Sequence, residues 1–511
     1  MSGWIDDPVV AVVRETPAYA RTAPYPPSES FPEWPGLARG SEENPAYRAV
    51  RLALSRMGLD AARFGTPAWN PLEALVRPGG RVVIKPNFVA HRNRRPSAAD
   101  DTDCLVTHGS FVRAVLDYAA RALGTSGEVL VCDAPVQGTR WPELSRLVGL
   151  DAVLADARRR FPGVRFEARD HRLTHAALAG ERVRSRRTIE PAPDAYEELD
   201  LRGESMLVPL MDRPCAFGVA QYPRRRMSRT HSPESNRYLV PREVLTADLV
   251  INLPKMKCHQ KAGITCALKN LVGVNGHKDY LPHFRFGSPR TGGDEYPDGG
   301  AVWDLYWSLI HAEWELDGGP RKALLQAGAA GLGQLMRRVL RVPRTAFARA
   351  GGSWHGNDTL WRTVLDINRA FLYYDRAERA IGSTASRSYL VLLDGLVGGQ
   401  RESPLAPSPV AAGLVLAARN PLALDTVAAA LMGFDWRRIP QLARGWELTR
   451  MPLARFGCAD VVIRGWPGVE RVDEVHERAH AVPFEPSCGW KGHVEAFPGE
   501  PARANRTELA G

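Results

Sequence analysis

Leu249-Val250-Ile251-Asn252-Leu253-Pro254-Lys255-Met256-Lys257-Cys258-His259 is the stretch on which the reading of this chain turns. The run 249–253 is too short for a helix and too apolar for a solvated loop, so it predicts a buried strand. Pro254, which has no amide hydrogen to give to a ladder, predicts the end of that strand. The next segment, through Lys261, Thr265, Lys269, Asn270, His277 and Lys278 to His283, concentrates lysine and histidine in a chain of otherwise ordinary composition.

The same pattern recurs outward from there. Strands are predicted at 9–13, 81–84, 128–132, 389–393 and 415–417, and helices near 45–57, 110–123, 151–160, 359–374 and from Asn420-Pro421 to Gly433. Alternating strands and helices predict βαβ units, hence an α/β fold with a mainly parallel sheet flanked by helices, with insertions. Three regions are expected: 1–79, an N-terminal strand, wrapping loop and helix; 80–470, the main α/β domain with insertions near 150–240 and 300–385; and 471–511, an irregular C-terminal tail, frayed from Pro498. The segment 322–341 reads as a basic amphipathic helix with Leu324, Leu325, Leu332, Leu335, Met336 and Val339 on one side. That side is expected to pack on the protein's own core, the alternative being peripheral contact with an anionic membrane.

Hydrophobic residues at 44% and charged residues at 24% of 511 give the composition of a folded globular protein. The 67 basic against 57 acidic side chains, a formal charge of +10, favour anionic ligands. Arginine is dispersed over many segments and no zinc-finger, homeodomain or RNP-like pattern occurs, so nucleic acid is not an expected partner. Cys104, Cys132, Cys215, Cys258, Cys266, Cys458 and Cys488 include no C-x-x-C pair. They read as reduced thiols and speak against an iron–sulfur cluster or a cysteine-rich zinc site. With no signal-like N-terminus and no span-length apolar segment, the expectation is a cytoplasmic protein without a transmembrane segment.

Four predicted strands finish in polar residues: Lys85 with Asn87, Asp133, Lys255 with Lys257, and Asp394. Ligands of open parallel sheets sit beyond the carboxyl ends of the strands, so these residues are expected to share one rim. The four-residue spacing of Lys261, Thr265 and Lys269 predicts one polar helix face, with Asn270 beside it. Lysines aligned in this way suit a phosphate or carboxylate, and crowding lowers their pKa toward acid–base use. Lys85, Asn87, Lys255, Thr265, Lys269, Asn270, Lys278 and His283 are the expected substrate-binding residues; His259, Lys257, Asp133 and Asp394 are the catalytic candidates. Asp133, Asp394 and Asp425 are the candidate ligands for a divalent metal, which no spacing specifies. P-loop, dinucleotide-binding and nucleophile-elbow motifs are absent from the sequence.

The pieces Val83-Ile84-Lys85-Pro86-Asn87, Asp133-Ala134-Pro135, 247–259, Gly263-Ile264-Thr265, 267–273, Asp394-Gly395 and 419–428 together resemble the bacterial and archaeal domain-of-unknown-function family 362. The resemblance covers roughly residues 80 to 440, most specifically 255–273. The segments 276–283, 292–297 and 356–362 are similar to a long branch of that family often found among polysaccharide-biosynthesis genes. The resemblance therefore implies a phosphorylated or carboxylated sugar, or a polysaccharide precursor, as substrate. Some relatives carry a ferredoxin-like segment or an export signal, and this sequence shows neither. The expected function is an enzyme of unspecified reaction class acting on an anionic small molecule through a Lys/His/Asp site. The alternatives are an iron–sulfur or metal-linked redox protein, for which Cys258 and Cys266 are the only suitable thiols, and a non-catalytic component of a polysaccharide assembly system.

Overall fold

Strands β1 (Val9–Arg14), β2 (Arg81–Pro86), β3 (Gly127–Asp133), β4 (Val164–Asp170), β5 (Leu249–Leu253), β6 (Lys255–His259), β7 (Ser388–Gln400), β8 (Ser408–Ala418) and β9 (Val462–Arg464) belong to one sheet. Its order is β9-β1-β8-β7-β5-β2-β3-β4, with β6 also pairing β7. The arrangement comes from a computed structural model that describes residues 3–95, 101–179, 182–211, 217–477 and 482–496. Cys215 and the tail from Pro498 lie outside the described residues. The strands β7, β5, β2, β3 and β4 are parallel, as are β9 and β1, while β8 is antiparallel to both its neighbours. The fold is α/β, with a mixed, mostly parallel sheet and inserted hairpins.

The helices are α1 (Pro45–Arg56), α2 (Gly109–Leu123), α3 (Trp141–Leu147), α4 (Leu150–Arg160), α5 (Cys266–Asn270), α6 (Ala301–Trp314), α7 (Pro320–Arg338), α8 (Leu360–Leu372) and α9 (Pro421–Leu431), besides shorter ones. On one face α1, α2 and α4 cover Val82, Ile84, Val129, Val131, Leu249 and Ile251. On the other, α5, α8 and α9 cover Val83, Leu130, Val250 and Val391. A sheet buried on both faces needs apolar residues at successive positions, which is why the strands read as unbroken apolar runs. Two helix starts follow the Asn-Pro signal. Asn44 Oδ1 accepts the Tyr47 amide at 3.1 Å, and Asn420 Oδ1 accepts those of Leu422 and Ala423 at 3.0 and 2.9 Å.

Strand β5 stops at Leu253, ahead of Pro254 as expected, but the chain does not leave the sheet there. After Leu253 the chain leaves β2 and continues on β7, where Lys255 stands opposite Asp394 and Lys257 opposite Gly399. Both lysines are therefore inside the protein, each 0% exposed. Lys255 Nζ lies 3.0 Å from Asp394 Oδ2 and donates to the Tyr19 hydroxyl at 2.6 Å, and that hydroxyl donates to Asp394 Oδ1 at 2.5 Å. This knot fastens the proline-rich loop that carries Tyr19 to the sheet. Lys257 Nζ donates to the Leu105 carbonyl at 2.6 Å and meets no carboxylate among the described residues.

Helices α6 and α7 form a hairpin whose buried side, from α7, consists of Lys322, Ala329, Gly333 and Met336. Of the expected core-facing stripe only Met336 is fully buried: Leu324 is 74% and Val339 66% exposed. The reason is that α7 packs through its small residues, Gly333 lying against Tyr306 of α6.

Burial pulls the Lys257 ammonium down to about 7. Unfolded lysine titrates near 10.4, so between those values the unfolded chain binds more protons and stability must rise with pH. In Lys257→Met this contribution is gone. We expect denaturant titrations to show wild-type stability, relative to the variant, climbing by roughly 2–4 kcal/mol from pH 7 to 10. Parallel stability curves for the two proteins would contradict a buried, neutralised Lys257.

Candidate functional site

The strand order reverses at β2: the chain first builds outward through β3 and β4, then returns to lay β5 on the opposite side. Such a reversal opens a crevice at the carboxyl ends of the strands, because the two following connections diverge. A cavity of about 250 Å³ occupies this place. Its walls come from the ends of β2 and β3, from the turn between β6 and α5, from α5 itself, and from the loops around 219–221, 278–283 and 404–405.

Nine of the residues singled out in the sequence line it: Lys85, Asn87, Asp133, His259, Thr265, Lys269, Asn270, Lys278 and His283. Lys261 lines it as well. Lys261 and Thr265 reach it without the expected helix face, since α5 begins only at Cys266 and the preceding residues form a turn and a two-residue strand, Gly263–Ile264. Four residues are placed elsewhere. Lys255 and Asp394 are in the knot with Tyr19, and Lys257 is buried on β6 behind the cavity wall. Asp425 projects from α9 to accept the Ala267 and Leu268 amides at 2.6 and 2.9 Å, anchoring the start of α5. Burial pushes its carboxyl up to about 8 against the pull of these two donors. Asp133, Asp394 and Asp425, grouped in the sequence as metal ligands, thus serve three separate sets of protein donors. Among the described residues no group of three or more His, Cys, Asp or Glu side chains converges.

Among the described residues, Asp133 is the only carboxylate in the cavity wall. Its Oδ2 accepts the Phe88 amide at 2.7 Å, while Oδ1 accepts the Ala134 amide at 2.8 Å and lies 2.8 Å from Lys85 Nζ. Lys85 Nζ also donates to the Pro86 carbonyl at 2.9 Å. Gly273 closes over this pair so tightly that a Cβ there would lie 2.3 Å from Asp133 Oδ1. Lys85 and Asp133 are thus saturated by one another and by the backbone.

The remaining lysines are not. Lys269 and Lys278 meet no acceptor among the described residues, and Lys261 Nζ donates to the Gly351 carbonyl. Burial, reinforced by the neighbouring ammoniums of Lys278, Lys85 and Lys261, pulls Lys269 down to about 7. Burial likewise brings Lys278 and Lys261 to about 8.

Hydrogen bonds fix the orientation of the polar groups. The Ala267 carbonyl can only accept, so Asn252 turns its Nδ2 toward it at 3.0 Å and its Oδ1 toward Asn270 Nδ2 at 2.7 Å. Asn270 Oδ1 then receives Asn87 Nδ2 at 2.7 Å, which leaves Asn87 Oδ1 buried without a donor among the described residues. The two histidines are set in opposite senses. His259 Nδ1 accepts the Lys261 amide at 3.1 Å, so in the neutral ring Nε2 carries the hydrogen. His283 Nδ1 lies 2.7 Å from the Leu281 carbonyl and must donate to it, so Nε2 holds the lone pair. Burial and nearby Lys269 hold both rings well below the usual imidazole range, hence neutral at pH 7.

Sequence reasoning missed Gln137 and Gln221, which bond to each other in the wall, and the loop at Pro404 and Leu405. Glutamine carries no positional signal, and the 404–405 loop is brought in by a tertiary contact, Gln260 Nε2 donating to Glu402 at 2.7 Å. The opposed histidine tautomers were equally out of reach, since they depend on backbone partners.

No curated protein matches the chain. Residues 218–430 match a family described as a domain of unknown function, DUF362. That span holds β5, β6, α5, the 278–283 loop, β7, β8 and most of α9, whereas the ends of β2 and β3 that complete the cavity precede it. The resemblance read from the sequence is thus shown on residues 218–430, the stretch that matches the DUF362 model.

Proposed function

We propose that this protein is an enzyme that takes the phosphate or carboxylate group of a small, hydroxyl-bearing molecule into the lysine-lined cavity. The observation that carries the proposal is the charge balance of the wall: Lys85, Lys261, Lys269 and Lys278 face the cavity with Asp133 as the one carboxylate, and Asp133 is already taken by Lys85. Ammoniums brought together in a buried site repel one another and lose hydration, and an anion between them removes both penalties. Asn87 Oδ1, a buried acceptor without a donor, fits a ligand hydroxyl.

The same groups offer acid–base chemistry. His283 Nε2 can accept a hydrogen bond from a ligand, His259 Nε2–H can donate one, and Lys269, poised near neutrality, can give or receive a proton. Anion binding draws a proton onto Lys269, so affinity falls as pH rises above about 7.

A second reading concerns the α6–α7 hairpin. Among the described residues no helix is long and apolar enough to cross a membrane. The hairpin nevertheless exposes Leu305, Leu324, Leu335, Val339 and Leu340, flanked by exposed Arg321, Arg337, Arg338 and Arg341. Apolar side chains set among arginines suit peripheral contact with an anionic bilayer surface.

Two measurements test these readings. Inorganic phosphate should raise the wild-type unfolding temperature by roughly 2–3 °C at a hundredfold excess over its Kd. Lys269→Met should unfold at a higher temperature without phosphate, because the repulsion is relieved, and should lose the phosphate response; an equal response in both proteins would refute the cavity as the anion site. For the hairpin, the wild type should co-sediment with phosphatidylserine-containing vesicles and not with neutral ones, and the double variant Leu324→Asp/Leu335→Asp should stay in the supernatant. Failure of the wild type to sediment with either vesicle would exclude membrane contact.

A further inference from the structure

Next to the lysine cavity lies a wider groove of about 1310 Å³ that shares Arg94, Val136, Gln137 and Gly138 with it. The groove is bounded by the loop after β2, by the loop after β3 with α3, and by the hairpin that follows β4. Among the described residues, seven arginines line it against two carboxylates, Glu143 and Asp170. Both carboxylates are engaged: Glu143 is 2.7 Å from Arg140, and Asp170 accepts from Arg172. Arg92, Arg146 and Arg187 are exposed and meet no carboxylate among the described residues. Trp141, half-buried and held edge-on by Phe88, contributes a flat apolar ring to the same wall.

A ligand confined to the lysine cavity would leave this groove unused. From the continuity of the two spaces we infer that the ligand is the end of an acidic oligosaccharide: a terminal sugar acid enters the lysine cavity, and further negatively charged sugars run along the arginine groove. The inference rests on the anion-site reading above and extends it to a substrate class. Each part of the ligand meets its complement. The terminal anionic group meets the lysines, a ring hydroxyl can satisfy Asn87 Oδ1, the apolar face of a following ring can lie on Trp141, and successive carboxylates meet Arg92, Arg146 and Arg187, which face no carboxylate among the described residues. Polyphosphate would use the arginines but neither Asn87 nor the indole. An RNA strand would favour several stacking rings, and among the described residues Trp141 is the only tryptophan, tyrosine or phenylalanine in the groove wall.

Calorimetric binding of galacturonate and its linear oligomers to the full chain tests this. Affinity should rise with chain length, and the double variant Arg146→Gln/Arg187→Gln should weaken the longer oligomers about tenfold while leaving galacturonate unchanged. Both arginines are exposed, so the variant keeps its fold. Lys269→Met should weaken all lengths alike. Length-independent affinity, or binding of inorganic phosphate without binding of any oligomer, would overturn the extension while leaving the cavity reading intact. Tighter binding of tripolyphosphate or oligouridylate than of the acidic sugars would overturn the substrate class. No binding of phosphate or galacturonate at all would remove the cavity reading itself.

Discussion

An ammonium taken out of water must find a carboxylate, give up its proton, or wait for an anion, and this protein brings enough lysines inward to show all three outcomes. Lys85 and Lys255 are paired, with Asp133 and Asp394 respectively. Lys257, completely enclosed and bonded to a carbonyl, is the one for which deprotonation is the cheapest solution. Lys261, Lys269 and Lys278 face a cavity whose single carboxylate is already occupied. Only this last arrangement calls for something from outside the chain, and it separates a ligand site from a set of structural lysines that look the same in the sequence.

The fold creates that difference through its strand order. Because the sheet grows to both sides of β2, the loops after β2 and β3 diverge from β6 and α5 and leave space between them. The floor of that space is made rigid by the asparagine relay from the Ala267 carbonyl through Asn252 and Asn270 to Asn87, and by Asp425 holding the first amides of α5. A satisfied buried network of this kind costs more to break than its separate bonds suggest. It ends in one unsatisfied acceptor at the cavity, where a ligand hydroxyl would complete it.

Much of the fold was legible because parallel strands buried on both faces leave apolar runs that end abruptly in polar residues. Lys85 and Asp133 lie at such ends, and both reach the cavity. Pro254 ends β5 as read, but a proline without a donor is also tolerated where the chain changes partners from β2 to β7, so Lys255 and Lys257 open a second strand inside the protein instead of reaching the rim. The spacing of Lys261, Thr265 and Lys269 pointed to a helix that in fact begins only at Cys266, yet the turn before it and the helix itself place all three at the same wall. The apolar stripe of α7 carried no signal for which side would be covered, because glycines at the contact let the helix pack through its small face. Tautomers, the amide relay and the arginine groove depend on partners far apart in sequence, and no local pattern encodes them.

The central claim is that the cavity lysines are destabilised as cations until an anion arrives. A side-chain NMR titration of the lysines, with and without inorganic phosphate, addresses it directly. The account predicts that Lys269 titrates at about 7 in the free protein and at a higher pH once phosphate is bound. An ordinary lysine titration near 10.4, unmoved by phosphate, would contradict it.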